Sequence, residues 1–216
     1  MIEVIREITK SLIVLIVVSL IFSPSVSAWH VITHESIAEK IYYAMPLNVQ
    51  YNLNLSEMRV GAAAPDLIFK DGENGGHKYP KSYQKAIKWL KKGKTAYREV
   101  KYNYASFCFG VASHYISDSY VVTHCANISK LDHVYYEKVA KEMKPSAVWY
   151  MGNQIKGMNP SIAGHNHRLK SELTEAHKTG ETRWGMWIEK KDRGLVQLDL
   201  DNAAVIAYNA IRECVQ

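Results

Sequence analysis

"YASFCFGVASHYISDSYVV", residues 104–122, is the stretch on which the fold turns. It is long and almost wholly apolar, the pattern of a central helix buried on all sides rather than of an amphipathic surface helix. Helical signals surround it. "HVITHESIAEKIYYAM", residues 30–45, places Val31, Ile37, Ala38 and Ile41 near helical spacing, and "LDHVYYEKVAKEM", residues 131–143, offers Asp132 as a cap and stops before Pro145. "LDNAAVIAYNAIRECV", residues 200–215, reads as a closing amphipathic helix. Loops rich in Gly, Asn and Pro, such as "KDGENGGHKYP" (70–80) and "KGMNPSIAG" (156–164), separate these segments. Strand signals are scarce, and no repeat, low-complexity tract or linker marks a second unit. The expected fold is one all-α, multi-helix domain.

The central helix carries ionisable groups that its apolar surroundings penalise. "HYISDSYVVTH" sets His114 and Asp118 four residues apart, which stacks them on one helix face, and His124 follows near the helix end. The next helix repeats the device, because "HVYYE" sets His133 and Glu137 four apart. A lone histidine on an apolar helix is commonly a hydrogen-bonded core residue. Two His/carboxylate pairs are harder to explain that way, since burying such groups is costly without a compensating partner. Imidazole nitrogen and carboxylate oxygen are the ordinary non-thiolate ligands of zinc, and a zinc ion would compensate both pairs.

The chain also opens like an exported one. "MIEVIREITK" has two bases and two acids, the apolar run "LIVLIVVSLIF" spans Leu12 to Phe22, and Pro24 breaks any helix. Val26 and Ala28 are small residues where a signal peptidase needs them. We expect residues 1–28 to be a signal peptide, cleaved before Trp29, leaving residues 29–216 as a secreted domain. The near-neutral start leaves the alternative of an uncleaved membrane anchor. The net charge of +6 favours anionic partners. It is partly local: residues 78–94 hold seven lysines and no acid, a run read here as a solvated helix face in preference to a phosphate-steering patch. Cys108, Cys125 and Cys214 allow at most one disulfide, and no CxxC spacing points to a thiolate metal site.

Taken in order, Trp29, His34, Asp66 in "GAAAPDLIF", His77 in "GGHKYP", then His114, Asp118, His124, His133 and Glu137 resemble the nine metal-ligand positions of the bacterial zinc-dependent phospholipases C. The single-strand-specific zinc nucleases are a more distant likeness. The resemblance spans residues 29–137, about half the chain. It implies three Zn²⁺ ions: one on Asp66, His77 and His114, with Asp118 bridging to a second on Trp29 and His34, and a third on His124, His133 and Glu137. It also gives the bulky Trp29 a purpose, because in this family the free α-amino group and carbonyl oxygen of the first residue bind zinc. An α-amino group, with a pKa near ~8, can yield its proton to a metal. The other reading of Trp29 is packing of its indole beneath the first helix.

By the same resemblance, the chain hydrolyses the glycerol-side phosphodiester bond of phospholipids, with a metal-bound water as nucleophile and Asp66 orienting or deprotonating it. Three divalent ions outweigh three carboxylates and a hydroxide, and the surplus charge attracts a phosphodiester and stabilises its displacement. Glu137 in the last position favours the phospholipase branch, since the nucleases usually carry Asp there. The partners implied are a phospholipid or other phosphodiester and transient contact with a membrane surface, with nucleic acid a lesser expectation. The headgroup pocket departs from the family pattern: Ile32 stands where an acid is expected, and Leu67 where an aromatic is expected. Both changes remove groups that would hold a quaternary ammonium. His165, His167 and His177 lack acidic support and are read as polar surface, and Trp184 and Trp187 as core, cleft or lipid-interface residues. Three readings therefore stand: a secreted phospholipase C, a zinc nuclease, or a membrane-anchored, non-catalytic zinc-binding protein.

Overall fold

The computed structural model describes residues 31–70, 75–146 and 165–216, with side chains in the last segment from residue 168 onward. The leader and its cleavage point, Trp29 and the 156–164 loop lie outside the described residues. Among those described, every regular element is helical, as the sequence predicts. In chain order they are α1 (Val31–Ala44), α2 (Leu47–Gln50), α3 (Leu55–Ala64) with a π-helical turn (Pro65–Phe69), α4 (Lys81–Arg98) and α5 (Tyr102–Tyr120). Then come α6 (Val122–Cys125), α7 (Lys130–Lys141), α8 (His165–Lys178), α9 (Gly180–Lys190) and α10 (Arg193–Arg212).

Helix α5 is the axis of the domain. Residues 108–119 are buried without a break, and α1, α3, α4, α8 and α10 all pack on it. Phe109, Tyr115 and Ile116 are among its fully buried side chains. Each apolar side chain of that size stabilises the fold by about 1.5–3 kcal/mol relative to exposure. Helix α4 shows the complementary pattern: Ala86, Leu90, Gly93 and Ala96 face the core, while Lys81, Lys88, Lys91 and Lys92 are exposed. The lysine run is thus a solvated face. Trp184 and Trp187 are buried against Tyr136 and belong to the core. All three cysteines are free thiols.

Two local expectations need correction. The central helix ends at Tyr120, because Val121 adopts an extended conformation (φ −62°, ψ 136°), so His124 sits on the separate short helix α6. Two consecutive β-branched valines weaken the helix there, and the Val122 amide donates to the Asp199 carboxylate instead, at 3.2 Å. Helix α7 is capped by Ser129 and not by Asp132. The Ser129 hydroxyl accepts from the Asp132 amide at 3.1 Å and donates to the Asp132 carboxylate at 2.8 Å, a reciprocal cap.

Helices α3 and α5 cross at a contact that only glycine permits. A Cβ on Gly61 would lie 2.1 Å from the Phe107 carbonyl oxygen, and one on Gly110 would lie 2.0 Å from the Met58 carbonyl oxygen. Both obstacles are backbone and cannot swing aside. We predict that Gly110→Ala destabilises the domain by about 1–3 kcal/mol or more in chemical denaturation, the usual cost of overpacking. Gly185 in α9 has no atom within 4 Å of its would-be Cβ, so Gly185→Ala should be neutral or stabilising by roughly 0.5–1 kcal/mol.

Candidate metal centre

The α3–α5 crossing brings the Ala62 carbonyl to 2.8 Å from His114 Nδ1. A carbonyl only accepts, so Nδ1 carries the proton, and in the neutral ring Nε2 is left as a lone pair. His34 is held by similar logic. The Ser117 hydroxyl donates its single proton to the His114 carbonyl at 2.8 Å. Its oxygen must therefore accept from His34 Nδ1, 3.1 Å away, which again leaves Nε2 as the lone pair. The two rings stack with centroids 3.7 Å apart and present Nε2 to the same place.

That place is the carboxylate of Asp118, fully buried one turn beyond His114. Oδ2 lies 2.6 Å from His77 Nδ1 and 3.0 Å from His114 Nε2, while Oδ1 lies 3.4 Å from His34 Nε2 and 3.9 Å from His124 Nε2. Despite these approaches, neither oxygen is satisfied by a hydrogen bond. Burial lowers His34 well below its ordinary value and pushes His124 down to about 3. The result is a buried carboxylate facing the Nε2 lone pairs of His34 and His114, with His77 Nδ1 beside it and 3.2 Å from His114 Nε2. Such an arrangement needs a cation between the opposed lone pairs, and the donor set of imidazole nitrogen and carboxylate oxygen suits zinc.

Two trios converge tightly enough to hold a metal ion. Asp66, His77 and His114 form one and His34, His114 and Asp118 the other, each with ligand atoms within 4.8 Å of one another. Asp66 reaches the first from the π-helical turn after α3, with Oδ1 3.8 Å from both His77 Nδ1 and His114 Nε2. A π-turn widens the helix by one residue per turn and is a frequent device for aiming a functional side chain. His77 arrives from the turn ahead of α4. Asp118 directs one oxygen toward each group, the disposition that a bridging carboxylate uses.

The remaining candidates lie beside these trios. The His124 and His133 rings meet edge to face with centroids 5.6 Å apart, and His133 Nε2 lies 2.7 Å from Glu137 Oε1. Burial raises the Glu137 pKa to about 7, against the pull of His133. These three are neighbours, but they do not close into a trio as the first two sets do. His177 lies against Tyr79, with ring centroids 5.4 Å apart, and belongs to neither trio. Sequence reasoning did not single out Ser117 or the Ala62 carbonyl. Neither has a sequence signal, because their roles come from α1 and α3 packing against α5.

Residues 33–192 match the sequence model of the family described as zinc dependent phospholipase C. The chain belongs to this family. Comparison with curated proteins gives no match. The matched span takes in all eight ligand candidates that the structure describes, and the zinc dependent phospholipase C fold accounts for their meeting in one all-α domain. The chain is accordingly a phospholipase C-like zinc hydrolase.

Asp118→Asn keeps the side-chain shape but removes the charge that two cations would share. Metal at 100 times its dissociation constant stabilises a protein by about 2.7 kcal/mol. The variant should lose most of that gain in thermal unfolding with zinc, yet melt like the unsubstituted protein in a strong chelator. Equal melting in zinc would identify Asp118 as a purely structural residue.

Proposed function

We propose that this protein is a secreted phosphodiesterase of phospholipase C type that cleaves the glycerol-side phosphodiester bond of phospholipids. The observation that carries the reading is the convergence of the His34 and His114 lone pairs on Asp118, within a chain of the zinc dependent phospholipase C family. Asp66, His77 and His114 would hold one ion, and Asp118 would join it to a second held by His34 and the Trp29 terminus. His124, His133 and Glu137 would hold a third. Bound zinc supplies Lewis acidity, which polarises a phosphoryl oxygen and brings the pKa of water to roughly 7.

The side chains perform the rest. His34 and His114 keep their protons on Nδ1, locked by Ser117 and Ala62, so neither ring needs to rotate or change tautomer during turnover. Asp66 is the least buried member of its trio. Its carboxylate orients the attacking water and takes its proton. No side-chain nucleophile is required. Ile32 (51% exposed) and Leu67 (58% exposed) present apolar groups next to His34 and Asp66, so nothing at these two positions holds a quaternary ammonium by charge or by an aromatic face.

Apolar exposure favours a lipid over a nucleic acid. Leu67 and Ile68 adjoin Asp66, and Leu131 and Val134 flank His133, all of them exposed. Among the described residues no helix is long and apolar enough to cross a membrane. The mature protein should contain close to three zinc ions, hydrolyse diacyl phospholipids and lose that activity to a strong chelator. Metal analysis showing one ion or none, on protein proven to begin at Trp29, would refute the three-ion site. Preference for single-stranded DNA or RNA would move the protein to the nuclease reading.

If the Trp29 amine is a zinc ligand, one extra residue before it should leave a folded protein with much lower activity at limiting zinc. An amide nitrogen has no available lone pair, and excess zinc should restore part of the rate. Full activity of the extended form would assign Trp29 to packing.

A further inference from the structure

His124 differs from the other histidines of the centre in that no hydrogen bond to either ring nitrogen orients it. Its position must therefore come from its backbone, and the backbone of that segment is clasped from outside. The Val122 amide donates to Asp199 Oδ2 at 3.2 Å, and Arg183 Nη2 donates to the Tyr120 carbonyl at 2.8 Å. The Asn127 amide donates to Glu181 Oε1 at 2.8 Å. Gly180 sits so close that a Cβ there would lie 2.4 Å from Cys125 Cβ.

Asp199 is the hub of this clasp. Besides the Val122 amide, the same oxygen accepts from the Tyr136 hydroxyl at 2.7 Å, and Oδ1 accepts from Arg183 Nη1 at 2.6 Å. Tyr136 immediately precedes Glu137 on α7, the helix that also carries His133. One buried carboxylate on α10 thus ties the segment bearing His124 to the helix bearing His133 and Glu137. Three donors satisfy it and Arg183 balances its charge, as a buried carboxylate requires. Asp199 lies beyond residues 33–192, the span matched by the family.

We propose that Asp199, with Arg183 and Tyr136, is a positioning residue that sets the separation of His124 from His133 and Glu137, and so the affinity of the metal site these three form. The inference rests on the three-ion reading given above. Groups that orient metal ligands from behind typically change metal affinity by about 10–100-fold when removed. The effect should be selective. None of the three clasp groups bonds to His34, Asp66, His77, His114 or Asp118, which are carried by α1, the π-turn after α3, the turn before α4, and α5.

The test compares the mature protein with Asp199→Asn and Tyr136→Phe, titrated with zinc from the metal-free state and analysed for bound metal at each free zinc concentration. Asp199→Asn turns an amide N–H toward a donor, whereas Tyr136→Phe removes a single hydroxyl and should fold. The unsubstituted protein should bind three ions. Both variants should keep two at unchanged affinity and bind the third at least tenfold more weakly. A lowered melting temperature with all three affinities unchanged would overturn the proposal and leave the clasp a structural feature, as would uniform weakening of every site. Fewer than three ions in the unsubstituted protein would overturn the three-ion reading, and this inference with it.

Discussion

The structure depends on one constraint, the charge of Asp118 in a fully buried place. A carboxylate buried in the middle of the most apolar helix would ordinarily be protonated or paired with a basic side chain. Here two of the imidazoles beside it have their protons committed elsewhere. His114 donates to a main-chain carbonyl and His34 to a serine hydroxyl, so both turn lone pairs toward it. The cost of leaving that arrangement uncompensated is severe in a low-dielectric interior. A metal ion removes the cost, and the same arrangement then becomes a source of fold stability, because only the native state assembles it.

The helices around Asp118 make this possible through contacts with no polar chemistry of their own. Gly61 and Gly110 let α3 and α5 approach until the Ala62 carbonyl reaches His114. The π-turn that continues α3 swings Asp66 toward the same histidine, and the turn before α4 delivers His77. Catalytic use of such a site requires ligands that hold still while charge develops on the substrate. Main-chain partners and a glycine-packed helix crossing are stiff supports of the kind that requirement favours.

Function is graded across the centre. The two trios around Asp118 and His114 are closed and largely buried, with their members carried by α1, the π-turn after α3, the turn before α4, and α5. The set on α6 and α7 is looser, with His133 paired to Glu137 and His124 steered through its backbone. A site that binds and releases a phosphoester benefits from this division between a rigid part and a part adjusted from outside. The exposed apolar residues beside Asp66 and His133 place lipid-compatible surface next to the ligands. Ile32 carries no acid and Leu67 no aromatic ring, so neither side chain can hold a quaternary ammonium by charge or by a π face.

Much of this was legible in the sequence. The unbroken apolar character of residues 104–122 requires a buried helix, and i,i+4 spacing puts His114 with Asp118 and His133 with Glu137 on common faces whatever the fold, since helix geometry is local. The order of His34, Asp66, His77 and the later ligand candidates carried the family, and the acid-free run of seven lysines over residues 78–94 marked a solvated face. Tertiary structure decided the rest. The end of α5 at Tyr120 depends on an amide bonding to Asp199, 77 residues further along the chain from Val122. The tautomers of His34 and His114 depend on Ser117 and Ala62, which meet those rings only when three helices pack. Local periodicity specifies which side chains share a face. Only packing specifies which distant atom stands opposite, and at a metal centre that atom decides where the lone pair points.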